Sequence, residues 1–169
     1  MRQCNLIVIW LGLVFLVCSC ASKPLPEQVV EYAKNAVIIH VKADPQLNLY
    51  AGTPHTLFVC IYQIKDPNAI NQLAGDQDGL CRLLECSLFD GSVAASKKLI
   101  IQPGQQETFV LDRAEGTRYV AVVAGYSRIE RDRILRLHEI PVKGLIRRFI
   151  GSRFDILAFE LKLGPQQIQ

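Results

Sequence analysis

From Ile156 to Leu163 the side chains alternate without a break. Ile156, Ala158, Glu160 and Lys162 interleave with Leu157, Phe159, Leu161 and Leu163. Successive side chains of a strand point to opposite faces, so a period of two with one apolar set describes a β-strand buried on one side. Other stretches rich in β-branched and aromatic residues, bounded by turn formers, predict strands over residues 36–41, 56–64, 98–102, 107–111, 118–127 and 135–142, with the alternating run placed in a strand over 154–163. Pro103-Gly104 supplies a turn between two of them. Seven strands so punctuated imply an all-β chain, an antiparallel β-sandwich. Between Asn68 and Cys86 the period changes: Ile70, Leu73 and Ala74, then Leu80, Leu83 and Leu84, recur at helical spacing. A small helical insertion over about 68–86 is expected to cover one end of the sandwich.

The first residues obey a different grammar. Arg2 is followed by an apolar run from Leu6 to Val17, twelve residues long, and then by Cys18-Ser19-Cys20. A bilayer span needs about 20 residues, so this run reads as a removable secretory signal over 1–19. A cysteine directly after the cut is what bacterial lipoprotein processing requires, and Cys20 is the expected lipidation site. Val17 before Cys18 is β-branched and suits a peptidase pocket for small residues poorly, whereas Ser19 precedes Cys20. Several acyl chains on Cys20 would hold the chain firmly to a membrane. Ala21-Ser22-Lys23 lack the aspartate that retains such proteins at the inner membrane, so the expected address is the periplasmic leaflet of the outer membrane. Residues 20–34, with Pro24 and Pro26, read as a lipidated tether, and 35–169 as the sandwich domain.

Removing residues 1–19 leaves eighteen basic against sixteen acidic residues, a formal charge of +2. That balance excludes non-specific nucleic-acid binding as a main activity. Cys60, Cys81 and Cys86 remain beside Cys20, an odd number in an oxidising compartment. Cys60, inside an apolar strand pattern, reads as a small buried hydrophobe, and Cys81 and Cys86 are close enough in sequence to pair locally. No histidine stands at ligand spacing from either, so no metal is expected, and no cofactor beyond the covalent lipid.

Catalytic signatures are missing. His40, His55 and His138 have no nucleophile or carboxylate at motif spacing, and the sequence holds no nucleophile elbow, zinc-protease helix or phosphate loop. Asp76-Gln77-Asp78-Gly79 resembles the opening of a calcium loop. Its glycine comes two places early and Ser87 stands where the bidentate glutamate belongs, so it reads as a solvated loop. Arg128, Arg131, Arg133 and Arg136, interrupted by Glu130 and Asp132, read as a solvated turn and strand edge or a contact for an acidic partner.

A lipidated cysteine, then a strand, then Leu47-Asn48, Ala51-Gly52-Thr53-Pro54 and the run Leu57 to Asp66 with Tyr62-Gln63-Ile64 resembles the TssJ (VasD/SciN-type) lipoprotein family of the bacterial type VI secretion system. Ile101-Gln102-Pro103-Gly104 looks like that family's Pro-Gly turn, and Tyr119 to Tyr126 like its central Val-Ala-aromatic strand. The similarity runs in order from about Val37 to Leu163. Thr56 stands where a second proline is common, Ile70 where a phenylalanine is, and Leu135-Arg136 where a Trp-Arg pair is. The resemblance implies a transthyretin-like β-sandwich without catalytic activity. It also implies a role in anchoring a membrane complex to the outer membrane, by binding the periplasmic C-terminal region of the inner-membrane protein TssM.

By position, the family's protruding loop corresponds to residues 43–55. Asp44, Pro45, Leu47, Asn48, Leu49 and Tyr50 are its candidate partner-binding residues. Large apolar residues in a loop either pack back onto the domain or wait for a partner, and Leu47, Leu49 and Tyr50 are open to both. The alternative function is a periplasmic sandwich that binds carbohydrate or peptidoglycan. Such a binder wants clustered exposed aromatics, and Tyr32, Tyr50 and Tyr62 do not cluster in sequence. No small-molecule substrate and no nucleic acid is expected.

Overall fold

In a computed structural model that describes residues 30–141 and 156–169, the chain folds into two stacked sheets. The signal, Cys20 and the expected strand ends at Val142 and Phe154 lie outside the described residues. In chain order the elements are β1 (Ala33–Ala43), β2 (Leu57–Ile64), α1 (Asn68–Leu73), α2 (Gln77–Leu83), β3 (Val93–Ile101), β4 (Gln106–Arg113), β5 (Tyr119–Ala124), α3 (Arg131–Ile134), β6 (Leu135–Glu139) and β7 (Leu157–Leu163). One sheet has the order β4-β1-β7, the other β3-β2-β5-β6. β1 starts at Ala33, two residues inside the expected tether.

The sandwich is β as expected, but not wholly antiparallel. β1 pairs antiparallel with β4 and parallel with β7, with Ile39 opposite both Phe109 and Phe159. β7 therefore begins at the same end of the molecule as β1. Alternation reports which face of a strand is buried and carries no information on which way its neighbour runs.

Val37, Ile39, Val41 and Ala43 of β1 and Leu157, Leu161 and Leu163 of β7 are buried, while His40, Lys42, Ala158, Glu160 and Lys162 between them are exposed. Among the described residues, the outer face of this sheet is bare. In the other sheet β2 and β5 are almost entirely buried, and their sequences, Leu-Phe-Val-Cys-Ile-Tyr-Gln-Ile and Tyr-Val-Ala-Val-Val-Ala, are correspondingly unbroken. A strand covered on both faces has no reason to alternate.

The odd-numbered residues of β2 face the first sheet. Gln63 shows this directly: its Nε2 donates to the Asp112 carbonyl of β4 at 2.7 Å, and its Oε1 accepts from the Ala114 N–H at 2.7 Å. A buried amide so satisfied ties the two sheets at that end. At the other edge His138 of β6 stacks on Phe159 of β7, ring centroids 3.9 Å apart. Burial and the neighbouring Arg136 guanidinium lower the His138 pKa.

The even-numbered residues of β2 face the helical insertion, which forms as two short helices. Tyr62 is fully buried there, its hydroxyl donating to the Leu83 carbonyl at 2.7 Å and its ring meeting Phe89 edge-on at 5.4 Å. Burial pushes its pKa up to about 12. Cys60 forms a disulfide with Cys86, which replaces both cysteine expectations: Cys60 is no lone hydrophobe, and Cys81 is the exposed free thiol. Cys81 belongs to α2 and Cys86 follows it with φ at +58°, beside the β2 face that carries Cys60. Ser96 of β3 adds a hydrogen bond to the Cys86 carbonyl at 2.9 Å.

Asp76-Gln77-Asp78-Gly79 is not a solvated loop either. Asp76 is the N-cap of α2, its carboxylate accepting from the Gly79 N–H at 2.7 Å, with Asp78 in the first turn and Arg82 in the last, where the helix dipole favours each charge. Gly79 lies against the Leu73 backbone of α1 so closely that any Cβ would overlap it.

Candidate functional site, the loop between the first two strands

The chain between Ala43 and Leu57 has to cross from one sheet to the other at one end of the sandwich, and it does so around a buried root. Leu47 has no exposed surface and belongs to the core. The Asp44 carbonyl accepts from the Leu47 N–H at 2.9 Å and from the Gly104 N–H of the β3–β4 turn at 3.1 Å. The Asp44 carboxylate accepts from the Gln46 N–H at 2.7 Å, so it closes a local turn. Leu49, half-buried, donates its N–H to the Pro165 carbonyl at 2.7 Å, and His55 donates to the Leu47 carbonyl at 3.0 Å.

Asn48 sits in the left-handed region at φ +48°, which its short polar side chain tolerates. That side chain bridges two segments, donating from Nδ2 to the Thr56 carbonyl at 3.2 Å and accepting at Oδ1 from the Ser127 N–H at 3.3 Å. Behind the loop, Tyr126 is buried, its hydroxyl directed at the Gly164 and Gln167 carbonyls at 3.1 and 3.0 Å. Burial raises its pKa well above the ordinary phenol value.

Beyond this root the loop stands free. Tyr50 and Thr53 exchange N–H to carbonyl hydrogen bonds of 3.0 and 2.9 Å, closing a two-residue turn. Its central residues Ala51 and Gly52 have φ of +49° and +78°, the pattern of a type I′ hairpin. Glycine suits such a position, whereas alanine there opposes its own Cβ sterics by about 1 kcal/mol. Every residue from Tyr50 to Thr56 is exposed, Tyr50 at 64% of its surface, with His55 edge-on to its ring at 6.3 Å.

The six loop residues singled out from the sequence thus divide. Leu47 leaves the contact surface for the core, because the crossing needs an apolar plug. Asp44 and Asn48 hold the loop's shape with their side chains, and Leu49 is fixed at its edge. Pro45 and Tyr50 are exposed. The exposed Thr53, Pro54 and His55 complete the tip; the type I′ turn that presents them has a sequence signal only at Gly52.

The basic stretch after β5 is largely self-satisfied. Arg128 pairs with Glu130 at 2.9 Å, Arg133 also engages Glu130, Arg131 donates to the Asn71 side chain at 3.0 Å, and Arg136 donates to the Asp132 carbonyl at 2.7 Å. Glu130 is held below the usual carboxylate range by its hydrogen bond from Arg133. The tyrosines that a carbohydrate platform would need are dispersed: Tyr32 precedes β1, Tyr50 follows it and Tyr62 is buried.

A family model described as type VI secretion lipoprotein (VasD, EvfM, TssJ) matches residues 35–163. No curated protein matches the sequence. Among solved structures, the type VI lipoprotein TssJ1 from Pseudomonas aeruginosa is 23% identical at a TM-score of 0.62, covering 83% of this chain and 94% of that one. Lip from Serratia marcescens, a membrane-bound component of the type VI secretion system, is 18% identical at 0.65, covering 79% and 94%. A chain in a structure described as the C-terminal domain of the type VI protein TssM from EAEC is 17% identical at 0.55, covering 79% and 94%. At these identities the likeness is one of fold.

Proposed function

This chain belongs to the type VI secretion lipoprotein family, whose members are structural and non-catalytic with no known cofactor, and from that premise we propose that it is the lipid-anchored outer-membrane subunit of a type VI membrane complex. Cys20 carries the lipid in the periplasmic leaflet, and the loop over 43–55 docks onto the periplasmic region of a TssM-like inner-membrane protein. The observation that carries the docking reading is the division of the loop. Its root is plugged by Leu47 and pinned by Asn48, while Tyr50 is held out on a closed hairpin. A tyrosine presented on a pre-ordered tip offers large contact area at little entropic cost on binding. The match to a chain in the TssM structure supports the choice of partner.

Two measurements test this. In a bacterium expressing the full chain, Cys20→Ser should abolish fatty-acid labelling. Continued labelling would move the anchor to Cys18. Tyr50→Ala should weaken binding to the periplasmic fragment of the TssM-like protein by about 1–3 kcal/mol while its unfolding curve stays within about 0.5 kcal/mol. Leu47→Ala should do the reverse, losing about 2–5 kcal/mol of stability. Unchanged binding by the Tyr50 variant would place the docking surface elsewhere.

A further inference from the structure

The bare face of the three-stranded sheet is not uniform. Its half nearest the β1–β2 loop is polar: His40 Nδ1 is 2.9 Å from the Thr108 hydroxyl, and Lys42, Glu160 and Lys162 are exposed beside them. Its other half carries apolar groups around one exposed carboxylate, Asp112, which accepts from the Tyr32 hydroxyl and the Asn35 N–H. Val110 on β4 and Ala158 on β7 are the cross-strand partners of Ile38, so the three lie in one row across the sheet. Side chains two apart share a face, so Ile156, just before β7, stands one step along the strand from Ala158 on the same face. Tyr32 donates its hydroxyl at 2.5 Å to Asp112, which stands two residues beyond Val110 on the same face of β4. Val110, Ile156 and Tyr32 are 49%, 54% and 54% exposed. An apolar patch confined to one half of a sheet face marks a contact surface.

Two features of the chain say what it contacts. The chain enters β1 at this end, and only nine residues stand between Cys20 and Val30, a contour of at most about 35 Å. The same end is where Ile156 leads into β7, because β1 and β7 are parallel. The apolar side chains of the face thus lie in the half nearest the anchor, around the exposed Asp112. Tyrosine with branched aliphatic neighbours is the composition of a membrane-interface surface.

We propose that the apolar half of this sheet face, formed by Tyr32, Ile38, Val110 and Ile156, rests on the lipid surface to which the chain is tethered. The contact rests on the reading of Cys20 as the lipidated residue. It gives the tethered body one orientation: the body lies against the bilayer by this face, and the loop at the opposite end of β1 points away from the anchor. β1 is eleven residues long, which sets the two ends about 36 Å apart.

The test uses the full-length acylated protein, with Cys81→Ser and single nitroxide labels at Val110→Cys, Ile156→Cys and, as a control, Thr108→Cys. It is reconstituted in phosphatidylethanolamine–phosphatidylglycerol vesicles. Lipid contact should raise collision with oxygen and lower collision with a water-soluble nickel chelate at positions 110 and 156, relative to the control. If the protein floats with the vesicles but all three labels stay equally open to nickel, the face is bare, and the inference fails while the anchor stands. A fall in both oxygen and nickel access at 110 and 156 means that protein covers the patch, either a second copy or another segment of this chain, and also overturns it. Failure to float, together with absent acyl labelling, would refute the anchor itself and this inference with it.

Discussion

The two sheets of this sandwich solve the same problem with opposite outer surfaces. The β4-β1-β7 sheet leaves its outer face bare, and its central strand alternates buried Val37, Ile39 and Val41 with Ile38, His40 and Lys42, which point outward. The β3-β2-β5-β6 sheet has its outer face roofed by α1, α2 and the segment to Phe89, so Cys60 and Tyr62 are as buried as Val59 and Ile61. The difference teaches what the roof needs. A six- and a seven-residue helix are too short to be stable alone. They are held to the sheet at fixed points instead: the Cys60–Cys86 disulfide, the Tyr62–Leu83 hydrogen bond and the Gly79–Leu73 approach. Among the described residues, the bare face carries no disulfide and no packed helix.

Breaking the roof's fixtures should therefore matter in order of their strength, and changing the bare face should hardly matter at all. The largest effect is expected from Cys60→Ser combined with Cys86→Ser. The bridge closes a loop with a sequence separation of 26, for which chain-entropy arguments give about 3–4 kcal/mol. Denaturant unfolding of the wild type with and without reductant should show the same loss. An unchanged midpoint would mean that the helices hold the roof without it.

Gly79→Ala comes next, because the new methyl meets backbone rather than a yielding side chain. A loss of about 1–3 kcal/mol is the usual range for overpacking, read from the unfolding midpoint. Tyr62→Phe keeps the ring against Phe89 but strands the Leu83 carbonyl, which should cost about 1 kcal/mol.

On the bare face, Val110→Ser should move the stability of the detergent-solubilised protein by no more than about 0.5 kcal/mol. A larger loss would show that this face is covered within the fold. The smallest effect concerns the seam between the sheets. His138 is lowered from the ordinary imidazole value of 6.5, so the folded state resists the proton that the unfolded state accepts. Its contribution is fully present above that value and is lost as the pH falls below it and through the lowered folded-state value. Replacing His138 by Phe, which keeps the stack on Phe159, should flatten this part of the pH–stability curve.

Much of this was legible in the chain. The strands appear where β-branched and aromatic runs end at turn formers, the alternation of 156–163 identifies a bare face, and helical spacing over 68–86 locates the roof. These are local signals, written every second or every third and fourth residue, and local physics reads them. The loop was legible as a loop and, by its family resemblance, as a candidate site. Which of its apolar residues turns inward was not. Leu47 and Tyr50 are three residues apart and equally apolar in sequence. One plugs the crossing between sheets and the other stands on the type I′ hairpin, with the chain around them held by hydrogen bonds from Gly104 to Asp44, from Leu49 to Pro165 and from Ser127 to Asn48.

The same holds for the cysteines. Proximity in sequence left a Cys81–Cys86 pair open, but α2 carries Cys81 to the surface while the end of the insertion drops Cys86 onto the outer face of β2. Sequence by itself determined which segments are strands, which face of each is apolar, and to which family the chain is kin. Tertiary structure alone decided the parallel pairing of β1 with β7, the Cys60–Cys86 bridge and the split of the loop. Each of those depends on groups far apart in the chain being brought within a few ångströms, and no local period records that distance.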